Sequence, residues 1–575
     1  MDKKWNYLCD GLSGEDVRKL AAKHKISQVL AAVLLNRGID LRESGSFLNG
    51  SAELLHDPFL MKDMEKGVET LEKALENGDK ITVYGDYDVD GISASSMLFR
   101  YLKSRGGNAD IYIPDRETEG YGVNAEAVRK IAGSGTRLIV TVDTGITAIP
   151  ETVLAKELGL DIIICDHHAC GAEVPQANAV INPKQCDCRY PYSELSGTGV
   201  AFKLICALSG GAEKPLRDYA EYVALATIAD VVPLKNENRE LARIGLQKMQ
   251  TAKIPWLDAL FNVSAIKKES VSAGHIGFMI APRINAAGRI GDVRTALNLL
   301  CCDDEAEAYE MARVLDTQNS HRKEIGQNIF NEAVEMIEEG EKSEKRIIVL
   351  AHEDWHPGII GITASRIADL YYRSVILLSV SEDGTAKGSG RAIRGINLYD
   401  ALCSCRDILT KFGGHDLAAG LTLPKDNIDE FEKRINAFAD GNMDDEDLIP
   451  TVNIDCRLSC EGNMLRLCRE LTKLEPIGTG NAKPVFAVLS AKVSAIKKSR
   501  DGKHLILKII KNGKEFSAIG FAMGDFADTA KKGDTVSFAA YLEENEFMGN
   551  VSPQFQLVDI IGENDDYHRK AYRQN

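Results

Sequence analysis

The chain has no apolar run near the roughly 20 residues that a bilayer-spanning helix needs. It has no CxxC pair among its 13 cysteines and no excess of positive charge. Each absence excludes something. Without an apolar span, a helical membrane protein is excluded. The nearest cysteine pairs, Cys186/Cys188 and Cys456/Cys460, lack zinc-finger spacing. The opening MDKKWNYLCDGLSGED holds no apolar stretch of a secretory signal. An odd cysteine count is therefore expected as reduced thiols in the cytoplasm. A formal net charge of −16 argues against a broad basic surface of the kind phosphate binders carry. Any site for a polyanion must be local, made by bound cations and a few arginines. Internal repeats and low-complexity tracts are missing as well.

What remains is the composition of a soluble globular protein, 44% hydrophobic and 27% charged. At 575 residues the length implies two to four domains. Residues 1–78 read as mostly helical, with a helical apolar period in VRKLAAKHKISQVLAAVLLNRG. From KITVYG onward, short β-branched strands alternate with helical segments, which predicts a mostly parallel α/β sheet over 79–300. Residues 301–343 read as one long charged connector helix. A second α/β unit is expected over 344–440. After the acidic DGNMDDED linker, residues 449–563 carry short strands with turn signals at RDG, KNG and KKGD, the pattern of a small β-barrel.

The stretch VYGDYDVDGISA places Asp86, Asp88 and Asp90 at alternate positions after a strand. An EF-hand begins this way, but it needs an acid at loop position 12, which here is Met97, and an entering helix rather than a strand. A helix N-cap needs one such residue, not three. The remaining reading is a divalent-metal site at the C-terminal edge of a parallel sheet, where open α/β sheets place their sites. That reading requires further ligands at other strand ends. RLIVTVDTG ends on Asp143, DIIICDHH on Asp166, His167 and His168, and YVALATIADVV on Asp230. Mixed carboxylate and imidazole donors suit Mn²⁺. Their number points to two ions, with an acid such as Asp143 between them, as in phosphoryl hydrolysis.

In this order DYDVDG, VDTG and DHH resemble the DHH phosphoesterase superfamily. DRETEGYG, IAPRINAAGRI, WHPGIIGITASRI, GSGRAI, GGHDLAAG and PIGTGNAKPVF narrow the resemblance to its RecJ family of exonucleases. The resemblance runs from about residue 50 to the C-terminus. It implies two α/β domains, the DHH catalytic domain and the DHH-associated domain, joined by the long helix, plus a C-terminal OB-type barrel. It places residues 1–78 with the catalytic domain. The implied activity is 5′→3′ hydrolysis of single-stranded DNA to mononucleotides, with two Mn²⁺ or Mg²⁺ ions, in DNA repair and recombination.

Carried over by residue, Asp86, Asp88, Asp90, Asp143, His167 and Asp230 are metal ligands, with two of the first three binding directly. His168 is a ligand or polarises the scissile phosphate, and Asp166 orients the neighbouring imidazole. Arg116 grips the 5′-phosphate beside Tyr121, and Ser389 and Arg391 complete that pocket. His356 and His415 contact phosphates. Arg283, Asn285 and Arg289 line the strand path. In the barrel, Lys492, Lys497, Lys498, Arg500 and Lys503 form a basic cluster, with Phe516, Phe547 and Phe555 as candidates for base stacking. Ile477 and Ala482 stand where the family pattern has Phe and Pro. Expected partners are single-stranded DNA with a 5′ end, single-strand-binding protein and a helicase; a monomer is expected, with no membrane partner. The rivals are a DHH phosphodiesterase acting on short RNA or dinucleotides, and a non-catalytic DNA-binding replication factor.

Overall fold

The computed structural model describes residues 3–50, 54–116, 118–547 and 549–562. The chain forms two units, one of residues 55–449 and one that joins 1–54 to 450–575.

The larger unit opens on a five-stranded sheet. Its strands are β1 (Lys80–Tyr84), β2 (Asn108–Tyr112), β3 (Leu138–Val142), β4 (Asp161–Cys165) and β5 (Ala179–Ile181). All pairings are parallel, in the order β2-β1-β3-β4-β5. Helices cover both faces, so the central strands carry nearly continuous apolar runs such as LIVTV and DIIIC, buried along almost their whole length. The order reverses at β1, and the crevice at that switch point is where doubly wound sheets take their ligands. The acid-rich loops after β1, β3 and β4 all open at this edge.

Four helices hold those loops. They are α1 (Val89–Ser104), α2 (Gly197–Leu208), α3 (Glu213–Ala229) and α4 (Asn236–Thr251). Helix α5 (Ala281–Ile290) continues a π-helical segment, Ile276–Ile280. Helix α6 (Glu305–Glu339) is 35 residues, about 50 Å long. Its N-cap Asp304 accepts from the Ala306 and Glu307 amides. It leads to a mixed sheet of β6 (Ile347–His352), β7 (Ser374–Val380), β8 (Thr385–Arg391), β9 (Lys411–Gly414) and β10 (Ala418–Pro424), ordered β9-β10-β8-β7-β6, with helix α7 (Ile360–Tyr371) between β6 and β7. Only β6 and β7 run parallel. Among the described residues no helix is long and apolar enough to cross a membrane.

The smaller unit is built on a barrel of β11 (Phe486–Lys498), β12 (Leu505–Lys511), β13 (Lys514–Gly520), β14 (Thr535–Phe547) and β15 (Asn550–Gly562). The order β11-β12-β13-β15-β14 closes through a β14–β11 pairing. Phe486, Phe538 and Phe555 fill the interior. Leu20, Leu30 and Leu34 from the N-terminal helices belong to the same core, and Lys4–Tyr7 pairs with Thr451–Ile454 as parallel strands. This corrects the placement of residues 1–78 with the catalytic domain: up to Leu54 they belong with the barrel. An amphipathic helix declares that it has an apolar face, not what that face packs against.

Candidate active site

Strand β1 ends at Tyr84, and the next residues must turn at once into α1. Asp88 is the N-cap of α1, its Oδ1 accepting from the amides of Asp90 (2.9 Å) and Gly91 (3.0 Å). A Cβ on Gly91 would sit 2.5 Å from the Asp86 backbone, so only glycine lets the turn close. Asn285 on α5 accepts from the Val89 amide at 3.1 Å and braces the same turn. Asp90 is 1% exposed. Its carboxylate accepts from the amides of Gly197 (2.6 Å) and Thr198 (2.8 Å) at the N-terminus of α2, where the helix favours negative charge.

Asp143, after β3, is 3% exposed and has φ 59°. A Cβ on Gly197 would lie 2.5 Å from the Asp143 side chain, so the α2 N-terminus fits flush against it. After β4, Asp166 organises the turn. Its Oδ1 accepts from the amides of His167 and His168 and from His168 Nδ1 (2.8 Å), and its Oδ2 from the Ile146 amide. His167 Nδ1 lies 3.0 Å from the Leu195 carbonyl, which places its proton there. The His167 Nε2 lone pair then faces Asp143 Oδ1 at 3.1 Å, Asp230 Oδ2 at 3.7 Å and Asp90 Oδ2 at 3.9 Å. Asn238 on α4 donates to the carbonyls of Glu194 and Pro233, tying the loop that orients His167 to the loop after Asp230.

These donors repel one another. Burial, followed by the Asp88 charge, pushes Asp86 up to about 8. Burial, followed by Asp90, pushes Asp230 up to about 9. Asp88 and Asp143 are raised by the same two causes, Asp143 far above the usual carboxylate range. Burial lowers His167. Burial is the largest single influence on His168 and lowers it, but the Asp166 hydrogen bond and the charges of Asp166, Asp90 and Asp88 together outweigh it and raise it. Asp166 is held down despite its own burial. Asp86 Oδ1 and Asp143 Oδ1 are buried without a hydrogen-bond partner. Buried polar atoms left this way are costly, and a cation is the partner that fits. Three sets of donor atoms lie close enough to share an ion: Asp86, Asp88 and Asp143; Asp90, His167 and Asp230; Asp143, His167 and His168.

Beside the acids, a cavity of about 370 Å³ is lined by Tyr87, Arg116, Arg289, His321, Ile325 and His356, among others. A second, of about 440 Å³, shares Arg116, Arg289 and His356 and adds Lys387 and Gly388. The Arg116 guanidinium stacks over the Tyr87 ring at 5.2 Å. Burial, then repulsion from Arg116, lowers Arg289 to about 10. Two crowded guanidinium groups of this kind match an anion. Tyr121 Oη lies 3.1 Å from His168 Nε2.

Several expected residues lie elsewhere. Ser389 and Arg391 line neither cavity; they bond to each other at 3.2 Å and back onto Gly361 in the first turn of α7. Arg283 is expected on the strand path, yet it is buried, with its guanidinium bonded to Asp316 and the Met279 carbonyl. Asn285 braces α1 rather than facing a strand. His415 is exposed in the β9–β10 hairpin, outside both cavities. In the barrel, Phe516 and Phe555 pack edge-on in the core, while Phe547 is 67% exposed. Tyr87, His321 and Lys387 line the cavities, and Phe521 is exposed on the barrel, although the sequence did not single them out. Tyr87 sits inside DYDVDG and Lys387 two residues before Ser389, so proximity to the motifs was the available signal.

The chain matches three domain families in order: the DHH family N-terminal domain over 80–227, the DHHA1 domain over 344–441 and the RecJ OB domain over 454–559. It is 38% identical to the single-stranded-DNA-specific exonuclease RecJ of Bacillus subtilis, over 95% of this chain and 69% of that protein. It is 35% identical to that of Escherichia coli, over 87% of this chain and 90% of that protein. The crystal structure of RecJ in complex with Mn²⁺ from Thermus thermophilus superposes with a TM-score of 0.84 at 30% identity, covering 97% of this chain and 79% of that one. With the three domains in order and such identity along nearly the whole chain, this protein belongs to the RecJ family of the DHH superfamily.

Proposed function

We propose that the chain is a 5′→3′ exonuclease that hydrolyses single-stranded DNA to 5′-mononucleotides, with two divalent cations, Mn²⁺ or Mg²⁺, at the acid cluster. The observation that carries this is the pairing of that cluster, with its unpartnered buried oxygens, and an arginine-lined cavity beside it. Asp86, Asp88 and Asp143 would hold one ion and Asp90, His167 and Asp230 the other. Divalent cations held there would supply Lewis-acid activation of water and neutralisation of phosphoryl charge. His168, its Nδ1 proton fixed by Asp166, offers Nε2 toward a phosphoryl oxygen. Arg116 and Arg289 bind the terminal phosphate through planar, multiply donating groups. That grip sets the first linkage at the cluster and makes the enzyme an end-cutter. The barrel holds the rest of the strand, with Phe547, Phe521 and the exposed lysines on its surface. The same function sets the enzyme in the cytoplasm, acting as a monomer in repair and recombination. A helicase that makes the strand and the single-strand-binding protein that coats it are the partners it would meet.

The test is incubation with Mn²⁺ and a 5′-phosphorylated single strand labelled at either end. Mononucleotide released at once from the 5′ label, with the 3′-labelled strand shortening progressively, is expected. Turnover of dinucleotides alone, or of nothing, would sink the proposal. Arg116→Ala is expected to lower kcat/KM about 10–100-fold on 5′-phosphorylated strands and to leave 5′-hydroxyl strands little changed. This is the size of one lost charged hydrogen-bonding group. Competition between the two substrates reads it.

A further inference from the structure

Strand β5 lies beside β4 in parallel, with Ile181 opposite Cys165. The loop after β5 therefore leaves the sheet next to the Asp166–His168 turn. Hydrogen bonds lock the two together. The Asp166 amide donates to the Ile181 carbonyl at 3.1 Å, and Asn182 Nδ2 to the His168 carbonyl at 3.0 Å. Asn182 Oδ1 in turn accepts from the Lys184 amide at 2.8 Å. The side chain that braces His168 thus also seats Lys184 at the same edge of the sheet.

Lys184 is half-buried, and its ammonium lies 3.8 Å from Glu194 Oε2. A long ion pair between two partly exposed groups holds little energy, so this lysine is available to another anion. Its charge reaches both His167 and Asp230. Arg116 follows β2, the strand at the opposite edge of the same parallel sheet, so the acid-bearing ends of β1, β3 and β4 lie between it and Lys184, and Arg289 lines the same cavity as Arg116. Cations therefore stand on two sides of the acid cluster, guanidinium groups on one and a single ammonium on the other.

We propose that Lys184 binds the strand phosphate that follows the scissile one, on the flank of the acid cluster opposite Arg116. This rests on the nuclease function proposed above. The choice of residue types fits the two tasks. A terminal phosphate that must be located is gripped by planar guanidinium groups. A phosphate that must advance by one position at each turnover is met by a flexible point charge, which holds it without fixing its orientation.

The experiment measures binding in Mn²⁺ of a 5′-phosphorylated strand whose first linkage is a neutral methylphosphonate, which blocks cleavage. Wild type, Lys184→Gln and Lys184→Arg are titrated across salt. Each phosphate neutralised on a single strand adds about 0.7 to the slope of log K against log salt. Lys184→Gln is expected to lose about that amount and Lys184→Arg to regain it. A second methylphosphonate at the next linkage should lower the wild-type slope equally and change Lys184→Gln no further. An unchanged slope for Lys184→Gln, with wild type binding normally, overturns the assignment to Lys184 alone. A wild type that neither binds this strand nor cuts its all-phosphate counterpart overturns the nuclease function instead, and the two failures are read from different proteins.

Discussion

Asp143→Asn is expected to abolish strand hydrolysis while raising the melting temperature of the metal-free protein at neutral pH. The two effects have one cause. Asp143 is buried among Asp90, Asp88, Asp230 and Asp86, and its carboxyl is pushed far above the ordinary range by burial and then by those charges. To fold without metal, this group must either take up a proton that the unfolded chain does not hold or keep a charge its surroundings oppose. An amide does neither. The replacement is sterically neutral: Asn tolerates the left-handed φ of 59°, and it is no larger where the α2 N-terminus meets this side chain. The bond from the Asp143 amide to the Cys165 carbonyl is untouched. Activity is expected to fall because a carboxylate proposed to hold a metal ion is lost. Removing several kcal/mol of charge stabilisation from the transition state costs on the order of 10³-fold or more in kcat. Calorimetry in EDTA should show a gain of a few degrees at pH 7.5 that vanishes near pH 4, where the unfolded carboxyl is also protonated. A variant with more than a tenth of wild-type turnover, or one that melts lower than wild type in EDTA at pH 7.5, would count against this account of Asp143.

The metal-binding edge was legible because parallel strands advertise their ends. Apolar runs stop abruptly at Asp86, Asp143 and Asp166, and the sheet brings those stops together. The division of labour among Asp86, Asp88 and Asp90 was not legible. It depends on the α2 N-terminus, more than a hundred residues away in sequence, which takes the Asp90 carboxylate, and on Asp88 capping α1. Asp86 keeps an unpartnered oxygen. Arginines were harder to read. Arg116 and Arg283 look alike in sequence, but Arg283 meets Asp316 on α6, a pairing that only the packing of α5 against α6 creates. Aromatics in the barrel follow the same rule. Phe516 and Phe555 fall on inward positions of an alternating strand, whereas Phe521 lies just beyond a strand end and escapes that alternation.

The acid cluster also fixes how stability must vary with pH. Asp86 and Asp230 have folded-state values of about 8 and about 9, and Asp88 and Asp143 are raised as well. Between about pH 4 and pH 8–9 the folded protein holds protons that the unfolded chain has released. The number bound in the unfolded state minus that in the folded state is then negative, so stability falls as pH rises through this window and levels off above it. His168, raised by Asp166, adds to the fall as pH passes its folded value. His167, lowered by burial, acts oppositely, since its stability is lost as pH drops below the ordinary histidine value. Asp166, held down, matters only at the acid end. Four raised acids outweigh one lowered histidine. In EDTA, wild type should therefore melt lower at pH 8.5 than at pH 6, and Asp143→Asn should show a shallower decline. Mn²⁺ should reverse the trend, because a cation displaces the protons these acids hold and binds more tightly as pH rises. At a hundred times its dissociation constant it adds about 2.7 kcal/mol. Proton release on Mn²⁺ addition, measured by calorimetry in two buffers of different ionisation enthalpy, gives the same answer without any DNA present. A melting temperature that ignores both pH and Mn²⁺ across this range would mean that the acids have some other partner.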